Sequence, residues 1–506
     1  MIEKMNVTNN IFTPFRVGVS LSLIICIVGV CSLNYLALPS GDEIGTADSA
    51  INFVLHKEWW SAVWVYTYHP LHNFILVPWL YIFGVSHVSV CALDIIIAFM
   101  ASIVALKALT ERMILKSTWL AVIFVLLFWG LVPYYNGRID NLLMLFSIGM
   151  VDQMLPSSER SGYSKRLLFF YSFMLTMTGI YTLPAIFFLG ICLVIYYWKD
   201  VSQRKELIQK AQIIIVSCLL AFAFVCLFYL YNQRLLRFLQ TYIRFNSNFN
   251  KGMANMRVHF TTRSMIINGY SNIIPILFSL SGIIVGYLRK NRNLLWLSVF
   301  VLLIPVILSL AGHYVSYYYW TFNVFAIFIL VYVLFLVSKK YVITLVTIFA
   351  AVLYIYPLVQ SFTNRPSNNE IVQSLGQFLK KNKGYLKDNT YVHFEAQVEA
   401  PFYYLLQNYP VKISGKVRFL EDYIAPELVF RKTMESKVKD PKLRKKIMNI
   451  FYKIENTVDP PLDRGLIIIS GEKRYNDLVT NLKKKRVPFT CVSTYKEYKL
   501  IKFGNK

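Results

Sequence analysis

Long runs of apolar residues recur along the first 357 residues of this chain, separated by short polar loops. A helix needs about 20 apolar residues to cross the hydrocarbon core of a bilayer. The chain is 56% hydrophobic and only 16% charged, which excludes an ordinary soluble globular protein. We therefore predict a mainly α-helical, polytopic membrane protein of about 11 transmembrane helices with a C-terminal α/β domain outside the cytoplasm. The predicted spans are residues 17–38, 87–106, 117–132, 141–155, 167–179, 182–198, 213–231, 272–288, 294–311, 317–337 and 341–357.

The apolar segment 70–84 is not counted among the spans. It is short, it begins with Pro70, and it has no basic residue at either end. Counting it would place basic loops on both sides of the membrane, against the rule that Lys and Arg concentrate on the cytoplasmic side. We predict that it is a re-entrant or surface-lying helix. The N-terminus is then cytoplasmic and the C-terminus lies outside, so in a bacterium the protein is predicted in the inner membrane with a periplasmic C-terminal domain.

Hydropathy falls sharply after Pro357, and residues 361–369 are typical of a linker. We predict two domains, a transmembrane catalytic domain over residues 1–360 and a periplasmic α/β domain over residues 361–506. In the second, residues 391–394, 465–470 and 498–503 are predicted strands, and residues 371–383, 401–407, 441–454 and 475–485 are predicted helices. The run from Lys483 to Arg486 is predicted to be a solvated helix end.

The net charge of +26 resembles that of a nucleic-acid-binding protein, but its distribution argues against that class. Residues 361–506 hold 28 Lys and Arg against 15 Asp and Glu, and most of the remaining excess lies in short loops between apolar runs. In such loops, basic residues set membrane topology or contact anionic lipid. We therefore expect membrane lipid as a partner and no nucleic acid.

A polar stretch directly after the first predicted span contains Asp42 and Glu43, and an aromatic-rich loop follows it and ends at His69 and Pro70. Ionisable residues at a membrane boundary are costly and by default mark a functional site. We interpret this loop as the source of a catalytic base. The alternative is a pair of carboxylates that only flank the helix and fix its topology.

Three further outward loops carry ionisable groups. Arg138 and Asp140 precede the fourth span, His313 precedes the tenth, and Tyr317 is the first residue of the tenth. The loop 232–270 is basic although it is predicted to lie outside, which suggests a phosphate partner or, alternatively, anionic headgroups. Other interpretations of the ionisable residues also stay open: an Arg138–Asp140 pair at a helix start, structural roles for His69 and His313, and an aromatic belt at Tyr317. The basic residues proposed to hold the phosphate are Arg237, Arg244, Arg257 and Arg263.

A carboxylate and several cations on the outer face of a membrane suit one reaction type in particular. A lipid phosphate that carries a sugar presents its anomeric carbon at the membrane surface. Transfer of the sugar to a hydroxyl requires a carboxylate to take the proton and cations to hold the departing phosphate. No organic cofactor and no metal ion is predicted.

The ordered set of motifs resembles the GT-C class of polyprenyl-phosphate-sugar glycosyltransferases, which includes the protein O-mannosyltransferases, the lipid A aminoarabinose transferase and the serotype-converting glucosyltransferases. The resemblance rests on the pair Asp42-Glu43, on His69-Pro70 before a short apolar helix, on the Arg138-x-Asp140 turn, and on the aromatic turn from His313 to Trp320. It implies an inverting hexosyltransferase that uses an undecaprenyl-phosphate-linked sugar, with glucose as the first candidate, and modifies a surface glycan such as lipopolysaccharide O-antigen.

By the same resemblance, Asp42 is the general base and Glu43 a supporting carboxylate, while Asp140 is a second acidic site residue ordered by Arg138. Members of the class often place a lysine in the hairpin between the fifth and sixth spans. Residues 176–181 of this chain contain none, so His313 and the outer arginines are the candidates for phosphate binding. Asp94 and Asp152, inside or at the inner end of predicted spans, are expected to be structural.

Other functions compete with this one. A transporter or flippase of lipid-linked sugars would place its charges near the membrane midplane and repeat its hydropathy in two halves, and neither pattern is present. An O-antigen polymerase or ligase, a GT-C enzyme acting on protein or lipid A, and a non-catalytic assembly protein are further alternatives.

Overall fold

The structure is a computed structural model of the whole chain. It describes most of the helical part and about half of the C-terminal part. Short pieces between residues 47 and 57 and residues 190, 191, 194, 235 and 449 are also described. The continuous described ranges are 2–36, 70–112, 114–131, 140–155, 164–179, 201–232, 270–310, 317–337, 339–363, 368–387, 391–395, 411–414, 440–446 and 463–504.

Helices coincide with ten of the eleven predicted spans, and the remaining one, 182–198, lies almost entirely outside the described residues. Several helices are longer than the apolar runs that predicted them, because polar residues at the ends continue the helix. The segment from residue 70 is also helical. The helices of this part are α1 (Ile2–Leu36), α2 (Pro70–Phe83), α3 (His87–Glu111), α4 (Thr118–Leu131), α5 (Asp140–Met154), α6 (Lys165–Thr178), α7 (Val201–Tyr231), α8 (Tyr270–Leu288), α9 (Arg292–Leu310), α10 (Tyr317–Val337) and α11 (Lys340–Thr363).

Side-chain contacts define two ends of this helical part. Helices α3 and α5 run in the same direction, since Asn141 contacts Asp94 near their starts and Asp152 contacts Arg112 at their ends. Helix α7 begins near the second of these contacts, where Lys210 contacts the last carbonyls of α5. We call these two ends of the helical part the Asn141 end and the Asp152 end.

Helix α2 lies at the Asn141 end. The indole Nε1 of Trp79 donates to the carbonyl of Ser89 in the first turn of α3, at 2.7 Å. At the other end of α2, the ring of Phe74 packs edge-on against that of Phe228, with 5.0 Å between the centroids. Phe228 lies about 27 Å along α7 from Lys210, so both contacts are remote from the Asp152 end. That the segment is not one of the spans stays a prediction.

Close packing between helices uses small and polar residues. The hydroxyl of Ser22 in α1 hydrogen-bonds to that of Ser102 in α3 at 2.6 Å, and it accepts from the indole of Trp129 in α4 at 2.8 Å. All three residues are buried, so the shared bonds satisfy groups that would otherwise be costly in an apolar core. Helices α8, α9 and α10 meet at Gly282, where a Cβ atom would collide with the side chains of Ser298 and Ile329.

Three helical segments are long and apolar enough to cross a membrane, Thr13–Leu33, His87–Glu111 and Arg204–Tyr231. Other apolar helices in the described part are shorter. Large apolar side chains are exposed along α7 and α11, among them Leu219 and Leu345. A soluble protein rarely exposes so much apolar surface, whereas the hydrocarbon of a bilayer accommodates it.

The C-terminal part contains a five-stranded mixed sheet in the order β2-β1-β3-β5-β4. Strand β1 runs parallel to β2 and β3, β5 is antiparallel to β3, and β4 is antiparallel to β5. The strands are β1 (Tyr391–Glu395), β2 (Lys412–Ser414), β3 (Gly465–Ser470), β4 (Phe489–Tyr495) and β5 (Tyr498–Phe503).

One helix covers each face of this sheet. Helix α12 (Asn368–Lys381) packs Leu375 and Phe378 against the face that carries Val392 and Leu500. Helix α13 (Glu472–Lys484) packs its apolar side against the opposite face. The three predicted strands are confirmed, and two of the four predicted helices correspond to α12 and α13. Of the other two, residues 441–446 are helical and 401–407 lie outside the described residues.

Strands β2 and β4 were not predicted. The predicted boundary between the two domains also differs from the end of the helix there. Helix α11 continues to Thr363, so the predicted boundary at residue 360 falls inside its last turn. The separate apolar clusters support a division near this point, because one cluster is built from residues up to 353 and the other two from residues 375–503. The two-domain division itself stays a prediction.

Candidate functional site

Buried polar side chains are found at the Asn141 end of the helical part. Asn141, in the first turn of α5, is 1% exposed, and its Nδ2 lies 3.3 Å from the backbone oxygen of Asp94 in α3. Asp94 is itself only 3% exposed. Its carboxylate sits within the first two turns of an apolar helix, a position at which ionisable residues are expensive and mark functional sites.

Helix α10 contributes a second buried amide to this end. The Nδ2 of Asn323 lies 3.5 Å from the backbone oxygen of Leu131, the last residue of α4. Helix α10 packs against both α4 and α5. The helices that begin at Asp140 and at Tyr317 therefore start at the same end of the helical part.

Helix α2 presents a polar residue from its inner face. Asn73 shares this face with Leu76, Val77 and Leu80, because these positions follow the helical spacing of three and four. Asn73 is 6% exposed, and its Oδ1 has no hydrogen-bond partner among the described residues. A buried amide oxygen requires a donor, which a water molecule or a hydroxyl-bearing ligand would supply.

In the sequence, the predicted site residues adjoin or follow helix ends at the Asn141 end. Their side chains lie outside the described residues. Asp140 and Tyr317 are described only as the first backbone positions of α5 and α10. The structure places the ends of the flanking helices and leaves the predicted roles untested. Outside the described residues entirely are Asp42, Glu43, His69, Arg138, Arg237, Arg244, Arg257, Arg263 and His313.

Asn73, Asn141 and Asn323 were not predicted as site residues. For Asn323 the available signal was an amide among large apolar side chains, whereas Asn73 and Asn141 directly follow His72 and Asp140 at the start of their helices. Asp94 was expected to be structural. Its burial beside Asn141 makes it a member of the polar group at this end, although its contact with Asn141 runs through its backbone oxygen.

The Asp152 end holds a separate polar cluster that links α3, α5, α6 and α7. The guanidinium of Arg112 contacts the Asp152 carboxylate at 3.2 Å and its backbone oxygen at 2.8 Å. Gln153 accepts from the backbone N–H of Ser164 at 3.0 Å, just before α6. These bonds fasten helix ends to one another, which agrees with the expected structural role of Asp152.

Lys210 completes this cluster and is 1% exposed. Its ammonium lies 2.7 Å from the Glu206 carboxylate and donates to the carbonyls of Met154 and Leu155, at 3.2 and 3.4 Å. A cation at the C-terminus of a helix is favoured by the partial negative charge of the free carbonyls there. Within the described ranges, no group of three His, Cys, Asp or Glu side chains is close enough together to hold a metal ion.

The fold of the chain is similar to that of solved structures of a GT-C membrane glycosyltransferase. The solved structures that it resembles are those of ArnT from Cupriavidus metallidurans, the lipid A aminoarabinose transferase, in a form bound to undecaprenyl phosphate and in the apo state. The TM-scores are 0.58 and 0.56, and both matches cover 96% of this chain and 97% of ArnT. Sequence identity is 13%, so the likeness is one of fold. The sequence matches no family profile and no curated protein.

Proposed function

We propose that this protein is an integral membrane glycosyltransferase that moves a sugar from a polyprenyl-phosphate donor to a glycan acceptor. The observation that carries the proposal is the fold shared with ArnT over nearly the whole of both chains, together with the binding of undecaprenyl phosphate by ArnT. Undecaprenyl phosphate is the proposed carrier of the sugar here. A transporter or flippase becomes the weaker alternative.

The proposed chemistry takes place at the Asn141 end. Asp42 is the proposed general base that takes the proton of the acceptor hydroxyl, with Glu43 in support. Asp140 is the proposed second carboxylate, and the hydrogen bond of Asn141 to α3 supports this role because it fixes the turn that carries Asp140. The acceptor oxygen bonds to the anomeric carbon as the bond between that carbon and the phosphate oxygen breaks, and the departing phosphate keeps the electron pair. The cations proposed to hold it are Arg237, Arg244, Arg257 and Arg263 with His313, while Arg138 is proposed to order Asp140.

Sugar recognition requires hydroxyl-binding groups close to these charges. His69 and Tyr317 are the proposed substrate-binding residues from the sequence. Asn73 adds a buried acceptor on the inner face of α2, four residues after His69. A sugar hydroxyl that donates to its Oδ1 would satisfy an oxygen whose burial is otherwise costly.

The finer proposal is an inverting transfer of a hexose, with glucose as the first candidate, to lipopolysaccharide O-antigen on the periplasmic face. The same fold is compatible with lipid A as the acceptor, since ArnT is a lipid A aminoarabinose transferase. Mass spectrometry of lipopolysaccharide from cells with and without the protein separates these possibilities. A hexose added to O-antigen supports the first, and a sugar added to lipid A supports the second. Unchanged glycans in both fractions would contradict both.

The proposed orientation places the N-terminus in the cytoplasm, the Asn141 end and the C-terminal domain in the periplasm, and the whole chain in the inner membrane. The division into domains at about residue 360 belongs to the same proposal. Reporter fusions after Lys116, Arg166, Lys205 and Lys290 should report cytoplasm, and fusions beyond residue 361 should report periplasm. A cytoplasmic signal from a fusion after Gly84 would add α2 to the spans and overturn this arrangement.

A further inference from the structure

Two basic helix ends lie at the same edge of the C-terminal sheet. Helix α12 ends shortly before β1 begins, and Leu386, between them, packs with Val392 in one apolar cluster. Helix α13 ends shortly before β4 begins, and the β4 residue Phe489 is linked through Phe503 of β5 to Gly465 of β3. The starts of β1 and β3 are adjacent because Val392 pairs with Leu466.

Backbone contacts confirm that the remaining segments of this edge are close together. The N–H of Gly504 donates to the carbonyl of Pro488 at 2.9 Å. Gly504 has a φ of +86°, and a Cβ atom there would collide with the backbone of Asp463 and Arg464. The loop before β3, the turn before β4 and the end of β5 therefore meet at one place.

Exposed cations accumulate at this edge, which we call the basic edge. Ten exposed Lys and Arg side chains belong to it, and Asp463 is the single acidic side chain among its described residues. The C-terminal ends of α12 and α13 each carry a partial negative charge of only about −0.5. They therefore offset little of the positive charge at this edge. The ten residues are Lys380, Lys381, Lys383, Lys387, Arg464, Lys483, Lys484, Lys485, Arg486 and Lys502.

The opposite edge of the sheet has no such excess. There Glu472 pairs with Lys499 at 2.6 Å, and the turn before β5 contains the neighbours Lys496 and Glu497. The charge of the C-terminal part is therefore polarised by the topology of the sheet. A single lysine run at a helix end is a solvated surface, but four separate segments that bring ten cations to one edge produce a field that attracts an extended anion.

We propose that the basic edge is a docking surface for a phosphate-bearing glycolipid, such as the lipopolysaccharide acceptor. The proposal rests on the proposed function in taking the acceptor to be a glycolipid. Eight of the ten cations are lysines, which act as mobile point charges and suit several dispersed phosphates better than a single bidentate contact. Tyr385 is 48% exposed between Lys383 and Lys387, and its ring can pack on a sugar face.

A bilayer of anionic phospholipid is the competing occupant. The basic edge lies at the end of α12 that is remote from α11, about 20 Å along the helix from Asn368. Only residues 364–367 separate α12 from α11, the last helix of the apolar part. Helix α12 therefore begins close to the apolar part, and its lysines lie at its far end. This position favours a ligand that reaches the protein from outside the bilayer.

The test measures binding by the full-length protein in nanodiscs of neutral phosphatidylcholine. The probe is purified phosphate-bearing lipopolysaccharide, and the comparison probe is the same material after removal of its phosphates. The test variant replaces Lys483, Lys484 and Lys485 with Gln. The matched control replaces Lys473, Arg474 and Lys496 with Gln, which removes the same charge from outside the basic edge.

We expect the test variant to lose at least about tenfold in affinity and to depend less on salt, because surface charge interactions are screened by ions. The control should change less than about twofold, and dephosphorylated probe should bind weakly to all three proteins. Equal affinities of the test and control variants would overturn the proposal. So would hydrogen-exchange protection of residues 483–486 produced by phosphatidylglycerol nanodiscs without the probe, which would assign the edge to the bilayer.

Binding is measured here without turnover, so the two proposals fail separately. A protein that binds the phosphate-bearing probe through the basic edge but transfers no sugar would contradict the proposed function alone. A protein that transfers sugar to lipopolysaccharide with an unchanged KM in the test variant would contradict the docking surface alone.

Discussion

The side-chain amide of Asn141 donates a hydrogen bond to the backbone carbonyl of Asp94, with 3.3 Å between the two atoms. This bond joins the first turn of α5 to the second turn of α3. Both residues are buried, so no bulk water competes for either group. The bond fixes the start of α5, where the proposed carboxylate Asp140 is located.

Replacement of Asn141 with Leu should lower both stability and transfer. The loss of this hydrogen bond costs about 0.5–1.5 kcal/mol, because the Asp94 carbonyl loses one of its partners. Asn382→Leu is the matched control, since Asn382 is also buried and its amide donates to the carbonyl of Phe378 at 2.8 Å. Thermal unfolding should fall in both variants, whereas kcat per folded molecule should fall only in Asn141→Leu. Equal kcat in the two variants would leave Asn141 a purely structural residue.

Lys210→Ala should destabilise the protein without changing its chemistry. The substitution leaves Glu206 and the carbonyls of Met154 and Leu155 without their buried cation, and the loss of a charge-assisted hydrogen bond costs about 1.5–3 kcal/mol. Lys205→Ala, an exposed neighbour in the same helix, serves as the control and should unfold like the wild type. Activity per folded molecule should be unchanged in both, because the Asp152 end lies about 16 Å along α5 from Asn141. A selective loss of turnover in folded Lys210→Ala would link this cluster to the reaction.

Asp42→Asn should abolish most of the transfer. Asparagine keeps the shape of the side chain but cannot accept the proton, and general-base catalysis contributes roughly 100-fold or more. The protein should be inserted and abundant, its acceptor glycan unmodified, and the lipid-linked donor accumulated. Glu43→Gln should cost less, and Asp140→Asn should impair substrate positioning. Near wild-type transfer by Asp42→Asn would remove the base from this loop and favour the transporter alternative.

Arg237→Ala and Arg244→Ala should weaken use of the donor if these cations hold its phosphate. One charge-assisted hydrogen bond contributes about 1.5–3 kcal/mol. Lysine at either position should restore only part of the loss, because it lacks the two-pronged geometry of a guanidinium. Arg289→Ala, at the exposed turn after α8, is the control. Normal donor KM in both alanine variants would leave the two arginines as headgroup contacts.

The C-terminal part should lose stability at high pH through Tyr498. Burial, with a smaller contribution from Glu497, raises the pKa of this phenol to about 12. The folded protein therefore holds the proton more tightly than the unfolded chain, whose tyrosines titrate near pH 10. The stabilisation is fully present below about pH 10 and is lost as the pH rises through about 12. Tyr498→Phe should flatten this part of the unfolding profile, while the exposed control Tyr385→Phe should not. The same decline in Tyr498→Phe as in the wild type would assign it to other groups.

The sequence determined the elements of this protein more completely than their arrangement. Apolar runs located the membrane helices because hydrophobicity and helix length are local properties. The strands at 465–470 and 498–503 were predictable for the same reason, since β-branched and aromatic residues concentrate there. Strand β4 carries the same local signal, because five of its seven residues are β-branched or aromatic, so it was predictable although it was not predicted. Strand β2 has only three residues and depends on pairing with β1.

Tertiary structure alone decided which residues meet. Asn141 and Asp94 are 47 positions apart, and Arg112 and Asp152 are 40 apart, so no local pattern pairs them. The placement of α2 at the Asn141 end likewise depends on contacts with α3 and α7. The basic edge arises only when the sheet order brings the ends of α12 and α13 together. Local sequence sets hydropathy and helix length, whereas the meeting of distant charges and amides depends on how the whole chain packs.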